Sequence, residues 1–111
     1  MSNKDLELLV SLQDIDLMIE EAAAVEKLGF AITGCDELKK AREELASRIN
    51  KPLLFRYERL RAKLKRAIVP VKNDICLGCF LRQPTSIGAK GREEMQIFTC
   101  ENCGRMLYWI D

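Results

Sequence analysis

Four of the five cysteines in this 111-residue chain form two Cys-x-x-Cys pairs. Cys76 and Cys79 make the first pair, and Cys100 and Cys103 make the second pair after twenty intervening residues. Two residues between cysteines let both sulfur atoms of a tight turn face one point, and four thiolates complete a tetrahedral site with no position left for water or substrate. The spacing therefore predicts one structural zinc ion per chain, bound by these four residues.

Three other chemistries use the same residue type. Disulfides are disfavoured because the N-terminus lacks an export signal, so we expect a cytoplasmic protein whose thiols stay reduced. Iron, as in rubredoxin, is an alternative because tetrahedral thiolate sites suit both metals. A thioredoxin-like redox pair is less favoured, since no strand–helix–strand pattern surrounds either motif. The fifth cysteine, Cys35, is interpreted as a packed residue and not as a ligand.

The segment that carries the four ligands is expected to be a small β zinc ribbon over residues 70–111. Glycines at 78 and 104 are predicted to take the positive φ that such turns need. Strands are predicted at residues 96–99 and 107–110, paired with a strand near Ile75. The segment has little apolar area, so metal binding should contribute most of its stability, on the order of 10 kcal/mol or more.

The first 68 residues carry the periodicity of two packed helices, with apolar residues at alternating steps of four and three. The first seam is Leu8, Leu12, Ile15, Ile19 and Ala22; the second is Leu38, Leu45, Ile49, Leu53, Tyr57, Leu60, Leu64 and Ala67. We predict helices over about 4–28 and 35–68, the first ended by Gly29 and the second kinked or broken at Pro52. The short connection makes them antiparallel. The predicted class is α+β, with a coiled-coil hairpin over 1–69 followed by the ribbon.

Charge is divided unevenly along the chain, although the net charge is only +1. Residues 1–50 carry six basic and eleven acidic side chains, whereas residues 51–72 carry eight and one. The predicted helix places one basic stripe beside the apolar seam: Arg56, Arg59, Lys63 and Arg66. Such a stripe suits nucleic-acid phosphates, while the simpler interpretation is a solvated flank that pairs with the acidic first helix.

The turn between the predicted helices offers a second candidate surface. Phe30 and Ile32 are apolar residues in a turn, and Asp36 and Glu37 follow them. Apolar anchors in an exposed turn are typical of protein contacts, so these four residues are the candidate binding site for a protein partner. The second helix outruns the first, and its unmatched apolar positions are expected to pack on the ribbon or on a second copy of the chain in a homodimer.

Four stretches resemble the bacterial C4-type zinc-ribbon family, which joins a long antiparallel hairpin to a four-cysteine ribbon. They are Tyr57-Glu58-Arg59-Leu60, Val69-Pro70-Val71, and the two cysteine motifs extended to Gly104-Arg105-Met106-Leu107-Tyr108. The resemblance implies zinc at the four cysteines and a role as a nucleic-acid-binding protein or as an adaptor in flagellar and type III secretion regulation. The family's hairpin is usually far longer, and Phe80 stands where relatives often carry histidine.

No enzymatic activity is expected from the sequence. The chain has no histidine, no glycine-rich phosphate loop and no carboxylate pair beside a predicted cleft. No run approaches the ~20 apolar residues of a spanning helix, so no membrane insertion is expected. The favoured function is a zinc-binding adaptor or regulator that binds an unidentified protein through its hairpin. The alternative is binding of RNA or DNA through the basic stripe and the ribbon.

Overall fold

The computed structural model of the chain describes residues 4–30, 34–84 and 97–109. Within these ranges the chain forms three helices and a small four-stranded sheet. The helices are α1 (Lys4–Lys27), α2 (Cys35–Arg48) and α3 (Lys51–Lys63), and the strands are β1 (Ile68–Lys72), β2 (Ile75–Cys76), β3 (Phe98–Thr99) and β4 (Met106–Trp109). The predicted α+β class is confirmed.

Helices α1 and α2 pack side by side and run in opposite directions. Cys35, at the start of α2, contacts Glu26 near the end of α1, and Arg42 forms an ion pair with Asp16 at 2.8 Å. As residue numbers rise along α2, the contacted residues fall along α1, so the pair is antiparallel. Gly29 takes the left-handed φ of +95° that the sequence predicted beyond the first helix. The coiled-coil character of the pair stays a prediction.

The prediction of a single second helix over 35–68 is wrong, because the chain breaks and reverses its direction between α2 and α3. Pro52 lies in the first turn of α3, where its missing N–H group would have no helical partner. Arg42 of α2 and Glu58 of α3 form an ion pair at 3.2 Å. In one continuous helix they would lie about 24 Å apart. The sequence predicted either a kink or a break at Pro52, and the break is the one found.

Helix α3 returns along α1 and ends earlier than predicted. The buried Tyr57 hydroxyl donates a hydrogen bond to Asp16 Oδ2 at 2.6 Å, and Arg61 forms an ion pair with Glu20. Burial, together with the Asp16 carboxylate, raises the pKa of Tyr57 well above its usual value, so the phenol stays a donor. Leu64 is already extended, with φ −125° and ψ 145°, and the chain turns there towards the sheet.

The sheet has the order β2-β1-β4-β3, with β1 parallel to β4 and the other pairs antiparallel. The strands at 75–76, 98–99 and 106–109 correspond to the predicted ones, although Gln96 and Ile110 lie outside the described residues. The predicted pairing of the last strands with the strand near Ile75 is wrong. Strand β1 separates them, because Ile68–Lys72 pairs with both neighbours.

The two faces of the sheet serve different cores. Side chains alternate along a strand, so Ile68 and Met106 face the helices and pack with Leu9 and other residues of α1. Val69 and Leu107, one residue further along each strand, face the opposite side and pack around the cysteines. One face of the sheet therefore shares a core with the helices while the other face forms a separate core with the cysteines, and a domain boundary between residues 69 and 70 stays a prediction.

A buried glutamine joins α1 to the start of the sheet. Gln13 is 3% exposed, and its Oε1 accepts hydrogen bonds from the N–H groups of Ala67 and Ile68 at 2.7 and 2.9 Å. Its Nε2 donates to the Ile68 carbonyl at 2.9 Å. One side chain thus satisfies three buried backbone groups at the start of β1, on the side of the strand that does not pair with β4.

Each helix within the described ranges is too short or too polar to cross a membrane.

Replacing Gln13 by leucine should lower the free energy of unfolding by about 3 kcal/mol, because two buried N–H groups and one carbonyl lose their partner. Urea unfolding followed by far-ultraviolet circular dichroism measures the change. Ser11→Ala, at an exposed position of the same helix, is the control and should change stability by no more than about 0.5 kcal/mol. Equal stabilities for the two variants would contradict the role assigned to Gln13.

Candidate metal centre and the adjoining basic cleft

The four predicted ligands converge on one point. The sulfur atoms of Cys76, Cys79, Cys100 and Cys103 all lie within 4.8 Å of one another. Cys76 Sγ is 3.9 Å from Cys103 Sγ, and Cys79 Sγ is 3.7 Å from Cys100 Sγ. A tetrahedron with metal–sulfur bonds of about 2.3 Å has sulfur–sulfur edges of about 3.8 Å. The four thiols are free, and their donor set and spacing fit one metal ion.

Each cysteine pair lies in a turn of the same design. We call residues 76–80 the first knuckle and residues 100–104 the second knuckle. In the first knuckle, the Phe80 N–H group donates to the Cys76 carbonyl at 2.7 Å. In the second, the Gly104 N–H group donates to the Cys100 carbonyl at 2.9 Å. The same backbone closure therefore aims both pairs of sulfur atoms inward.

The predicted positive φ is confirmed for Gly104 and is wrong for Gly78. Gly104 has φ +77°, as expected, but the left-handed residue of the first knuckle is Phe80, with φ +63°, and not Gly78. Gly78 serves a different purpose, because a Cβ atom there would lie 2.7 Å from Cδ of Arg105. The Arg105 side chain crosses the first knuckle at this point, and its Nε donates to the Arg66 carbonyl at 2.9 Å. The glycine therefore makes room for a link between the second knuckle and the chain that follows α3.

The local environment acts differently on two of the thiols. Burial raises the pKa of Cys76 to about 12, although the N–H groups of Cys79 and Gly78 oppose the shift. Burial acts in the same direction on Cys79, but hydrogen bonds from the Leu81 N–H group, the Asn102 side chain and neighbouring thiols outweigh it and lower its pKa to about 6. The surroundings of Cys79 thus favour its thiolate, and those of Cys76 favour the protonated thiol, whose proton a metal ion would displace.

Sequence reasoning missed one buried polar residue beside the site. Gln83 is 5% exposed, and its Nε2 lies 3.5 Å from Cys100 Sγ and donates to the Leu81 carbonyl at 3.3 Å. A donor that points at a ligating sulfur helps to orient it and to stabilise its negative charge. No pattern in the sequence marks Gln83, because the contact depends on the chain folding back across the second knuckle.

Three of the four residues of the predicted basic stripe line one cleft. Arg56, Arg59 and Lys63 of α3 form one wall with Leu60, and Thr99 and Gly104 beside the second knuckle form the other wall, around a volume of about 220 Å³. These three cations have no ion pair with a carboxylate in the described ranges.

The fourth member of the predicted stripe, Arg66, does not line the cleft. Its inclusion on one helical face is wrong, because α3 ends at Lys63 and the backbone at Leu64 is extended. The continuous part of the stripe is therefore Arg56, Arg59 and Lys63.

The predicted partner-binding residues lie at the far end of the helical pair. Phe30 is 65% exposed, and Asp36 and Glu37 are exposed in the first turn of α2. Ile32 lies outside the described residues. Leu28, which the prediction did not include, is 76% exposed beside them. Apolar and acidic side chains are thus presented together at this tip.

Cys35 also lies at the tip and takes no part in the metal centre. It lines a groove of about 290 Å³ between α1 and α2 with Ile19, Ala23, Glu26, Asp36 and Lys39. Partial burial and the Glu26 carboxylate raise the pKa of the Cys35 thiol, and the thiol donates to Glu26 Oε1 at 3.7 Å. A protonated thiol beside a carboxylate is a poor metal ligand.

Two solved structures resemble the chain. CT398 from Chlamydia trachomatis is 31% identical over 68% of this chain and 33% of its own length, with a TM-score of 0.61. The HP0958 protein from Helicobacter pylori is 26% identical over 81% of this chain and 36% of its own length, with a TM-score of 0.63. The chain thus spans about a third of each protein. No protein-family model and no curated protein sequence matches it.

Cys79→Ser should lower the bound metal from one ion per chain to well below half, because a closed site with three thiolates loses much of its affinity. Cys35→Ser is the matched control and should retain one ion per chain. Elemental analysis of protein purified without added metal measures both variants beside the wild type. Loss of metal in Cys35→Ser, or full retention in Cys79→Ser, would contradict the assigned ligand set.

Proposed function

We propose that this chain is a non-catalytic zinc protein that binds the phosphates of RNA or DNA in the cleft between α3 and the second knuckle. The observation that carries the proposal is the convergence of Arg56, Arg59 and Lys63 on a cleft whose lining, as far as the described residues form it, includes no acidic side chain. The metal stabilises the sheet, and the basic wall supplies the attraction.

Zinc is the metal proposed for the centre. Four thiolates leave no coordination position for a substrate, which is the arrangement of structural zinc sites. Cys76 and Cys100 are buried, and the other two ligands are half-buried, so the ion would be enclosed by protein. The resemblance to four-cysteine zinc ribbons supports the same metal. Iron would fit the same four thiolates, and elemental analysis of the purified protein distinguishes the two metals.

The cleft suits a chain of phosphates better than a single anion. Arg56 and Lys63 lie seven residues apart on α3, which corresponds to about 10 Å along the helix axis. Arg59 lies between them on the same face. Arginine can bind phosphate through two parallel N–H bonds, and lysine adds a point charge. The wall therefore presents a row of positive groups that is long enough to follow a nucleic-acid backbone.

An exposed aromatic ring lies next to the cleft residue Arg56 in sequence and one helical turn before Arg59. Phe55 is 64% exposed, and the guanidinium carbon of Arg59 is 5.9 Å from its ring centroid. Aromatic faces beside cationic grooves stack on unpaired bases. This position favours a single strand over a duplex as the nucleic-acid ligand.

A second candidate function is binding of a protein partner at the tip. The supporting observation is the high exposure of Leu28 and Phe30 next to the acidic first turn of α2. Exposed apolar side chains with a charged border are typical of protein contacts. This adaptor role is independent of the cleft, because the tip and the sheet lie at opposite ends of the helical pair.

Replacing Arg56, Arg59 and Lys63 together by glutamine should weaken binding of a 20-nucleotide thymidine oligomer and flatten its salt dependence. Three lost phosphate contacts should reduce the slope of log K against log salt by about 2 for a single strand. Fluorescence anisotropy between 20 and 200 mM salt measures the slope. The matched control replaces Lys39 and Lys40 by glutamine, since both are exposed lysines near the tip. The proposal fails if the wild type binds no oligomer at the lowest salt.

Replacing Leu28 and Phe30 by serine tests the second candidate function. Capture from cell extract on immobilised wild-type and variant protein, after nuclease treatment, should show a protein that only the wild type retains, because the apolar anchors are lost. The variant in which Arg56, Arg59 and Lys63 are replaced by glutamine should retain the same protein. A partner captured equally by all three proteins would exclude the tip as its binding site.

A further inference from the structure

The two walls of the basic cleft come from parts of the chain with different supports. Arg56, Arg59 and Lys63 belong to a helix that contacts α1 through Tyr57. The facing residues, Thr99 and Gly104, are sequence neighbours of the metal ligands Cys100 and Cys103. We infer that the metal-bound second knuckle is one wall of the phosphate-binding site, so that metal and polyanion each strengthen the binding of the other. This inference rests on the proposed function of the cleft.

The position of the second wall depends on closure of the knuckle. Thr99 pairs with Met106 in the sheet, and the Cys100 N–H group donates to the Arg105 carbonyl at 2.9 Å. Gly104 is held by its hydrogen bond to the Cys100 carbonyl. These contacts span a turn of a few residues and a two-residue strand, which is too short to be stable alone. A metal ion that binds both ends of the turn would supply the missing constraint.

The position of the first wall, on α3, does not depend on the metal. Its three cations lie on one uninterrupted helix, whose Tyr57 is fully buried and whose Arg61 pairs with Glu20. Metal loss should therefore leave the positive row in place while the facing Thr99 hydroxyl and the Gly104 backbone move away. A ligand that touches both walls would then lose one of them.

If charge alone mattered, metal binding would weaken the binding of a polyanion and not strengthen it. Four thiolates around Zn²⁺ carry a formal charge of −2, so a loaded centre repels phosphates more than a partly protonated, metal-free one. An increase in affinity for a polyanion on metal loading would therefore report the geometry of the wall and not its electrostatics. The coupling is reciprocal, since the oligomer must change zinc affinity by the factor by which zinc changes oligomer affinity.

The test uses the full chain and the 20-nucleotide thymidine oligomer. Zinc affinity is measured by competition with a chromogenic chelator, with and without saturating oligomer, at low salt. We expect the oligomer to tighten zinc binding by about fivefold or more, and the glutamine variant of Arg56, Arg59 and Lys63 to abolish the effect. A change below twofold, or a weakening, in a wild type that does bind the oligomer through these three residues would overturn the inference and leave the proposed function intact.

The zinc-affinity measurement depends on how the metal-free chain folds. A variant that keeps its metal provides a test without that dependence. Thr99→Glu places a carboxylate on the second wall, where it should lower oligomer affinity about tenfold while elemental analysis still gives one ion per chain. Ser47→Glu, at an exposed position of α2, adds the same charge elsewhere and should have little effect. Equal affinities for the two variants would overturn the inference. If zinc-loaded wild type binds no oligomer, the proposed function itself fails.

Discussion

The fold around the candidate centre depends on bringing four sulfur atoms within 4.8 Å of one another. The strands that present them are short, since β2 and β3 contain two residues each. Apolar burial adds to this constraint, because Val69, Leu107 and Trp109 pack around Cys76 and Cys100. Strands this short and a cluster this small join the two knuckles only weakly, and a metal ion bound at about the spacing that the sulfur atoms already have would join them firmly.

The centre acts on the rest of the molecule through the sheet. One face of β1 and β4 packs around the cysteines while the other packs on α1, and Gln13 satisfies the backbone at the entry to β1. The same arrangement sets the second knuckle opposite α3, where the basic residues lie. Metal binding at the four cysteines would therefore be linked to packing of the sheet on the helices and to the position of one wall of the cleft.

Local patterns predicted the four-cysteine cluster and the helical segments because both signals are contained in a few neighbouring residues. The cysteine spacing indicated the site, and apolar periodicity indicated α1 and helical structure over the segment that forms α2 and α3. The reversal at the break was not predictable from periodicity, since Pro52 suits a kink and a new helix equally well. The parallel pairing of β1 with β4 joins segments far apart in sequence, and the roles of Gly78 and Gln13 depend on contacts with Arg105 and with Ile68 that no local pattern contains.

Hydrogen exchange of the full chain, measured by mass spectrometry with zinc bound and after its removal, tests the central claim most directly. The account predicts that metal removal abolishes protection in both knuckles and in the short strands that carry them, and weakens it at Ala67 and Ile68. Protection in the half of the α1–α2 pair that lies furthest from the sheet should be retained, because its contacts do not involve the sheet. Unchanged protection in the knuckles, or equal loss throughout the chain, would contradict a structure in which the metal supports the sheet and one wall of the cleft.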